Sequence, residues 1–346
     1  MQALVIEKHG DFCAIVQKER VLPAPGPMQV RVRVAAVGLN HLDIWVRKGV
    51  EGHHFPLPLV PGSDVVGTIE EVGQGVDKAL IDRRVALSPA ESCGNCDKCR
   101  GNRENLCAEY RIRGEGMDGG CQEAVIAKAN DLLFLPDEMT WVDAAGFPLS
   151  ALTAWHMLVE RAHLEAGERV LVLAGASGVG SAAIQIATLL GAEVYATAGT
   201  PEKRALARTL GARDVFDHYA EPPFHKLLRK ATNGAGADVV IEHTGEQTWT
   251  RSLRALAWGG RLVTCGATSG HRANIDLRVL FFKQQSLLGS TMGTRAGMDR
   301  VWEHFCNGRL KATVGACLKM SEISKGHALL EQHQVLGKVV LLQDLN

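Results

Sequence analysis

The chain has 346 residues, which at roughly 150 residues per domain leaves room for about two domains. Its 46% hydrophobic and 22% charged composition excludes an intrinsically disordered chain, which would combine few apolar residues with a high net charge. Thirty-eight basic residues cancel 38 acidic ones, so no global field draws the chain onto nucleic acid or an anionic membrane, and recognition has to be local.

In chain order, residues 1–9 lack the basic start and long apolar stretch of a signal peptide and read as a strand of a cytoplasmic protein. Up to about Tyr110 the sequence consists of short β-branched runs separated by Pro and Gly. Residues 30–34 alternate with period two, as a half-buried strand should, and further strands are predicted at 65–69 and 84–87. This part is expected to be a β-rich, barrel-like domain. Near Ala151 the texture changes. A helix is predicted over 151–161, followed by alternating strand and helix patterns at 170–173, 181–190, 194–198 and 202–210, and the series continues at 239–242, 253–257 and 261–265. Such alternation implies an α/β domain with a doubly wound parallel sheet covered on both faces. The uncharged stretch 170–192 is long enough to imitate a membrane helix on a hydropathy plot. Gly175, Ser177, Gly178, Gly180 and Gly191 instead punctuate it as strand, turn and helix. From about Thr291 a helix at 298–307, an amphipathic stretch at 324–332 and a strand at 337–342 are predicted. A last strand needs a sheet to join, and the first domain is its expected host. The expected domains are therefore 1–150 with 291–346, and 151–290.

Four cysteines fall in the lobe at about 91–110: Cys93, Cys96, Cys99 and Cys107. The spacing C-x₂-C-x₂-C-x₇-C lets four thiolates surround one zinc ion tetrahedrally, and four protein ligands leave no position for water, so the expected role is structural. A redox pair would precede a helix in a βαβ setting, and a cytoplasmic chain disfavours disulfides.

Residues 171–181 read as a buried strand, a tight turn and a helix start. Gly175, Ser177, Gly178, Val179 and Gly180 form the turn, with Ser177 where G-x-G-x-x-G has its middle glycine. Dinucleotide sites need this geometry, because amides at a helix N-terminus receive the pyrophosphate. At the tip of the next strand no acidic residue stands ready for the adenosine ribose of NADH. Gly199 and Thr200 leave room there, and Lys203 and Arg204 are placed to neutralise a 2′-phosphate, so NADPH is expected over NADH.

With these features placed, the whole chain resembles the medium-chain dehydrogenase/reductase superfamily. Pro61-Gly62-Ser63-Asp64-Val65-Val66-Gly67, Asp118-Gly119-Gly120, Ala154-Trp155-His156, the glycine turn and Gly337-Lys338-Val339-Val340 occur in family order. The resemblance implies a GroES-like catalytic domain, a Rossmann dinucleotide-binding domain and one structural zinc per chain. The sequence departs from the family's alcohol dehydrogenases at the catalytic zinc ligands, where Asn40, Ser63-Asp64 and Leu149 stand instead. The implied chemistry is zinc-free hydride transfer from NADPH to an activated C=C bond of an enoyl-CoA thioester or enone, as in the quinone oxidoreductase and enoyl reductase branches. The alternatives are NADPH:quinone oxidoreduction, an alcohol dehydrogenase with substituted ligands, and a non-catalytic NADPH-binding protein.

By position, the resemblance gives Asn40 a hydrogen bond to substrate or cofactor, Asp43 either an orienting role or a cap on the helix that starts there, His41 a pyrophosphate contact or a part in proton transfer, and Ser63 and Asp64 the place of the lost metal. It assigns Thr153, Tyr219 and Lys338 to the cofactor, and Thr244-Gly245 and Gly266-Ala267 end strands at the carboxyl edge of the sheet, where dinucleotides lie. Arg47 is a further candidate, for substrate channel or phosphate. The partner is a small molecule, not nucleic acid or membrane, and residues 287–291 resemble the family strand that pairs sheets in a homodimer or higher homo-oligomer.

Overall fold

The alternating valines at residues 30–34 lie on a long strand, Gln29–Leu39, in which Val30, Val32 and Val34 are buried while Arg33 is exposed and Arg31 pairs with Glu71 at 2.9 Å. This period-two burial is what a sheet with one face on a core produces. The protein is described from a computed structural model that covers residues 1–345. Packing divides it into one unit of Met1–Leu149 with the chain from Thr294 onward, and a second unit of Ser150–Gly293. In chain order the first unit contributes β1 (Gln2–Ile6), β2 (Ile15–Glu19), β3 (Gln29–Leu39), β4 (Asp64–Val72), β5 (Arg84–Leu87), β6 (Ala90–Glu91), β7 (Arg111–Ile112), β8 (Ala124–Lys128) and β9 (Leu132–Phe134). The second adds β10 (Arg169–Val172), β11 (Glu193–Thr197), β12 (Asp214–Phe216), β13 (Ala237–Glu242), β14 (Leu256–Thr264) and β15 (Ser286–Gly289), and the returning chain adds β16 (Val314–Lys319) and β17 (Lys338–Leu342).

The main sheet of the first unit runs β16-β17-β3-β4-β5-β9, with β8 also on β3. The returning strand β17 lies antiparallel to β3, with Val340 opposite Gly38. Val32, Val37, Leu39, Val65, Ile69, Val339 and Leu341 share one buried cluster, so the last strand completes this core. Gly38 is required there, because a Cβ would lie 2.0 Å from the Ala145 carbonyl oxygen.

The second unit is a parallel six-stranded sheet ordered β12-β11-β10-β13-β14-β15. The order reverses direction between β10 and β13, and such a switch point opens a crevice at the strands' carboxyl ends. Residues 170–192 form β10, the turn and the helix Gly178–Leu189. Among the described residues no helix is long and apolar enough to cross a membrane. The helix predicted over 151–161 begins earlier, at Pro148, and widens into a π-helical turn at His156–Arg161. Residues 253–257 divide between a helix, Glu246–Ala255, and β14, because Leu256 pairs with Ala237 at the edge of a bulge.

Candidate active site

Asn40 immediately precedes the helix His41–Lys48, and its backbone N–H donates to Asp43 Oδ2 at 2.7 Å. An acid at the third helical position reaching back in this way satisfies a donor that the helix start would otherwise orphan. The other oxygen of Asp43 accepts from Gly62 N at 2.8 Å, so one fully buried carboxylate joins the helix start to the loop carrying Ser63 and Asp64. Gly62 has φ of +99°, and a Cβ there would lie 2.6 Å from Val37 Cγ1. Burial pushes the Asp43 carboxyl up to about 6, opposed by the two backbone N–H groups it accepts.

Asp64 is fully buried. Its Oδ1 accepts from Leu149 N at 2.7 Å, and its Oδ2 accepts from Asn40 Nδ2 at 2.9 Å and Lys338 Nζ at 2.8 Å. Lys338 Nζ also donates to Asn40 Oδ1, which closes a triangle of ammonium, carboxylate and amide. Donors on both oxygens and one full positive charge stabilise a carboxylate that burial alone would disfavour. A catalytic metal does not fit here. Asn40 offers an amide already bound at both ends, Leu149 offers only hydrocarbon, and Asp64 holds an ammonium that would repel a second cation.

The other sequence candidates in this unit fall around the triangle. Ser63 Oγ is buried and has no hydrogen-bond partner among the described residues. The His41 ring is edge-on to Trp45 at 6.0 Å and stacked on His333 at 6.4 Å. Arg47 is not a surface phosphate contact: it is fully buried, pairs with Glu331 and lies 4.3 Å over the Phe12 ring. Lys338, expected at the cofactor from the resemblance, sits against Asn40 and Asp64.

In the second unit the glycine turn follows β10. Ser177 caps the helix Gly178–Leu189 by accepting from Gly180 N at 3.0 Å, and Gly175 N donates to Thr197 O at 2.8 Å. A Cβ on Gly180 would lie 2.3 Å from the Ala174 carbonyl oxygen, and one on Gly175 would lie 2.8 Å from Ile184 Cδ1. The backbone of Gly178 and Val179 forms the first helical turn, without a bulky side chain at Gly178. These residues fit a dinucleotide, since a pyrophosphate needs close approach to amides at a helix start.

At the tip of β11, Thr200 Oγ1 caps the next helix by accepting from Lys203 N at 3.3 Å. Arg204 Nη1 donates to Asp217 Oδ2 at 2.9 Å, and Tyr219 N donates to Asp217 Oδ1 at 2.9 Å. Asp217 was not visible as a neighbour in the sequence. The parallel register that pairs Thr197 with Phe216 brings it beside Ala198, and a register is a property of two strands rather than one. Tyr219 is exposed, and its ring lies close to Gly199, whose Cβ would be 3.6 Å from Tyr219 Cε2. Burial lowers His218 next door to about 4.

Thr153 is buried on the helix Pro148–Trp155. Thr244 and Gly245 leave β13, and both backbone N–H groups donate to Glu242 Oε1, at 2.7 and 3.1 Å. The buried Glu242 also accepts from Ser252 Oγ at 2.6 Å and Thr248 Oγ1 at 2.9 Å, a network that strand patterning does not announce. Gly266 and Ala267 follow β14, where a Cβ on Gly266 would lie 2.9 Å from His243 O.

The cysteine lobe lies between β6 and β7. Its four Sγ atoms lie within 4.8 Å of one another, with 3.5 Å between Cys96 and Cys99, 3.5 Å between Cys107 and Cys93, and 3.8 Å between Cys93 and Cys99. A tetrahedron with Zn–S of about 2.3 Å has sulfur–sulfur edges of about 3.8 Å, so the four thiols fit zinc. The Ser92 hydroxyl beside Cys99 draws that thiol down to about 6, while burial and the hydrogen bonds to Cys93 and Cys96 push Cys107 up to about 11.

Comparison with known families matches residues 26–137 to the alcohol dehydrogenase GroES-like domain and residues 178–307 to the zinc-binding dehydrogenase family. A quinone oxidoreductase of Pseudomonas aeruginosa is 30% identical, over 92% of this chain and 92% of that protein. A crotonyl-CoA carboxylase/reductase of Cereibacter sphaeroides is 28% identical, over 97% of this chain and 86% of that protein. The crystal structure of an NAD-dependent alcohol dehydrogenase superposes with a TM-score of 0.95 at 40% identity, covering 99% of both chains.

Proposed function

The chain belongs to the medium-chain dehydrogenase/reductase superfamily, in its quinone oxidoreductase-like branch, and from that premise we propose that it reduces an activated C=C bond of an enoyl thioester or enone with NADPH, without a catalytic metal. The observation that carries this reading is the triangle of Asn40, Asp64 and Lys338, which fills the positions of a metal site with an amide, a carboxylate and an ammonium bound to one another. Oxidising a simple alcohol develops alkoxide charge, for which a metal serves as Lewis acid. Reduction of a conjugated alkene spreads the charge into an enolate, which hydrogen-bond donors stabilise.

Bound NADPH would supply the hydride, two electrons and one hydrogen, to the β-carbon, while the π pair shifts toward the carbonyl oxygen. The chain's own part is to hold and to stabilise. Gly175, Ser177, Gly178, Val179 and Gly180 would give the pyrophosphate room at a helix start; Gly199 and Thr200 would leave space for the 2′-phosphate, Lys203 and Arg204, the latter already paired with Asp217 at 2.9 Å, would neutralise it, and Tyr219 would pack near the adenosine phosphate. Thr153, Thr244, Gly266 and Ala267 complete the cofactor's surroundings. The α-carbon takes its proton from water, because Tyr195 is buried in β11 and neither Tyr110 nor Tyr219 falls in a family position beside the nicotinamide. Cys93, Cys96, Cys99 and Cys107 hold one structural zinc. The protein works as a homodimer joined through β15, the edge strand of its sheet, near which Trp258, Phe281 and Phe282 are exposed.

Alcohol oxidation with NAD⁺ is the second reading, favoured by the 40% identical relative of that name. The deciding assay follows cofactor absorbance with a crotonyl thioester, an enone, a quinone and a series of alcohols, using both nicotinamide phosphates and non-phosphorylated forms. Expected are turnover of thioester or enone and a preference for NADPH over NADH of at least about tenfold in kcat/KM, or about 1.4 kcal/mol. Turnover of alcohols alone would establish the second reading. Tight NADPH binding without oxidation across the panel would make the protein a non-catalytic binder.

A further inference from the structure

We propose that Lys338 is a catalytic residue of this reductase, donating a hydrogen bond from its third N–H to the substrate oxygen on which negative charge develops. The inference rests on the reductase reading and names the group that carries out its electrostatic part.

The argument is one of donor capacity. An ammonium has three N–H donors and a primary amide two. Asn40 uses its carbonyl oxygen on Lys338, and its Nδ2 on Asp64 at 2.9 Å and toward Gly38 O at 3.4 Å. The amide expected to hydrogen-bond the substrate is therefore engaged at both ends. Asp64 can only accept. Lys338 donates to Asn40 and Asp64, which leaves one N–H of its three. The Lys338 side chain is 4% exposed and that of Asp64 fully buried, and in such a dry setting a fixed positive charge acts far more strongly than it would in water. Asp64 and Asn40 hold the ammonium in place, so it does not have to reorganise as charge appears on the oxygen. The bond is a donation and not a transfer, so the lysine ends the cycle with the proton it began with.

The experiment compares the wild type with a Lys338→Met/Asp64→Asn double variant, because Lys338→Met alone would strand a buried carboxylate and risk the fold. Thermal unfolding establishes that the variant is folded, and fluorescence titration gives its NADPH Kd. The expected result is a kcat for the enone or thioester lower by about 10²–10³, the usual loss of one oxyanion donor, with NADPH Kd within about threefold of wild type. Lys338→Arg, which retains charge and donors, is expected to recover part of the loss. A folded double variant with kcat within about threefold of wild type would overturn the assignment and leave the reductase reading standing. A rise of about tenfold in NADPH Kd at unchanged kcat would return Lys338 to the cofactor. A wild type inactive on every acceptor sinks the reductase reading, and this assignment with it.

Discussion

Asp43 shows how a single buried carboxyl makes the site pH-sensitive. Its folded value of about 6 lies above the roughly 3.9 of an unfolded aspartate. Between these values the unfolded chain gives up its proton while the folded chain keeps it, so stability falls as pH rises from about 4 to 6 and then levels. The shift of about two units corresponds to about 3 kcal/mol. Asp43→Asn is expected to abolish this slope, and also to cost about 1–3 kcal/mol by turning an amide donor toward a backbone N–H of Asn40 or Gly62. Unfolding of wild type and variant at steps between pH 4 and 7 measures both effects, since other acids contribute equally to each. The residue types of the site were legible from the chain, because Asn40, Asp43 and Asp64 stand in recognisable motifs. Their bonding was not. Lys338 is 298 positions from Asn40 and 274 from Asp64, and no local pattern records which polar groups will meet across such a distance.

Among the elements, those written in periodicity or spacing were the most legible: β3 in its alternating valines, the helix Gly178–Leu189 in its glycine-rich start, the cysteine lobe in its C-x₂-C steps. The pairings of Arg204 with Asp217 and of Glu242 with its hydroxyl and amide donors depend on strand register and on a helix start, so they emerged only with the fold. The lobe has little regular secondary structure, since β6 and β7 are two-residue strands and the helix Asp97–Arg100 is a single turn. Structural zinc sites supply folding free energy directly. Cys96→Ser is therefore expected to lower zinc content from about one ion per chain toward zero and to open residues 93–107 to limited proteolysis. Elemental analysis together with mass mapping of the cleavage sites checks both. Zinc content near two per chain in the wild type would contradict a single structural site.

On the scale of the whole molecule, the edge strand β15 leaves one side of its sheet unpaired among the described residues, and such edges invite pairing with another copy. Leu288→Lys is expected to convert a dimer to a monomer in light scattering while leaving NADPH binding within about threefold, because a charged edge blocks sheet extension. A terminal strand requires a host sheet, and β17 finds it on β3. That placement has a consequence for biosynthesis. Everything from Ser150 to Gly293 is translated before β17 exists, so on the ribosome the parallel sheet can form while the earlier one still lacks its final strand. Until Lys338 emerges, the nascent chain carries Asp64 without its counter-ion, and the first unit matures only after the second has been made.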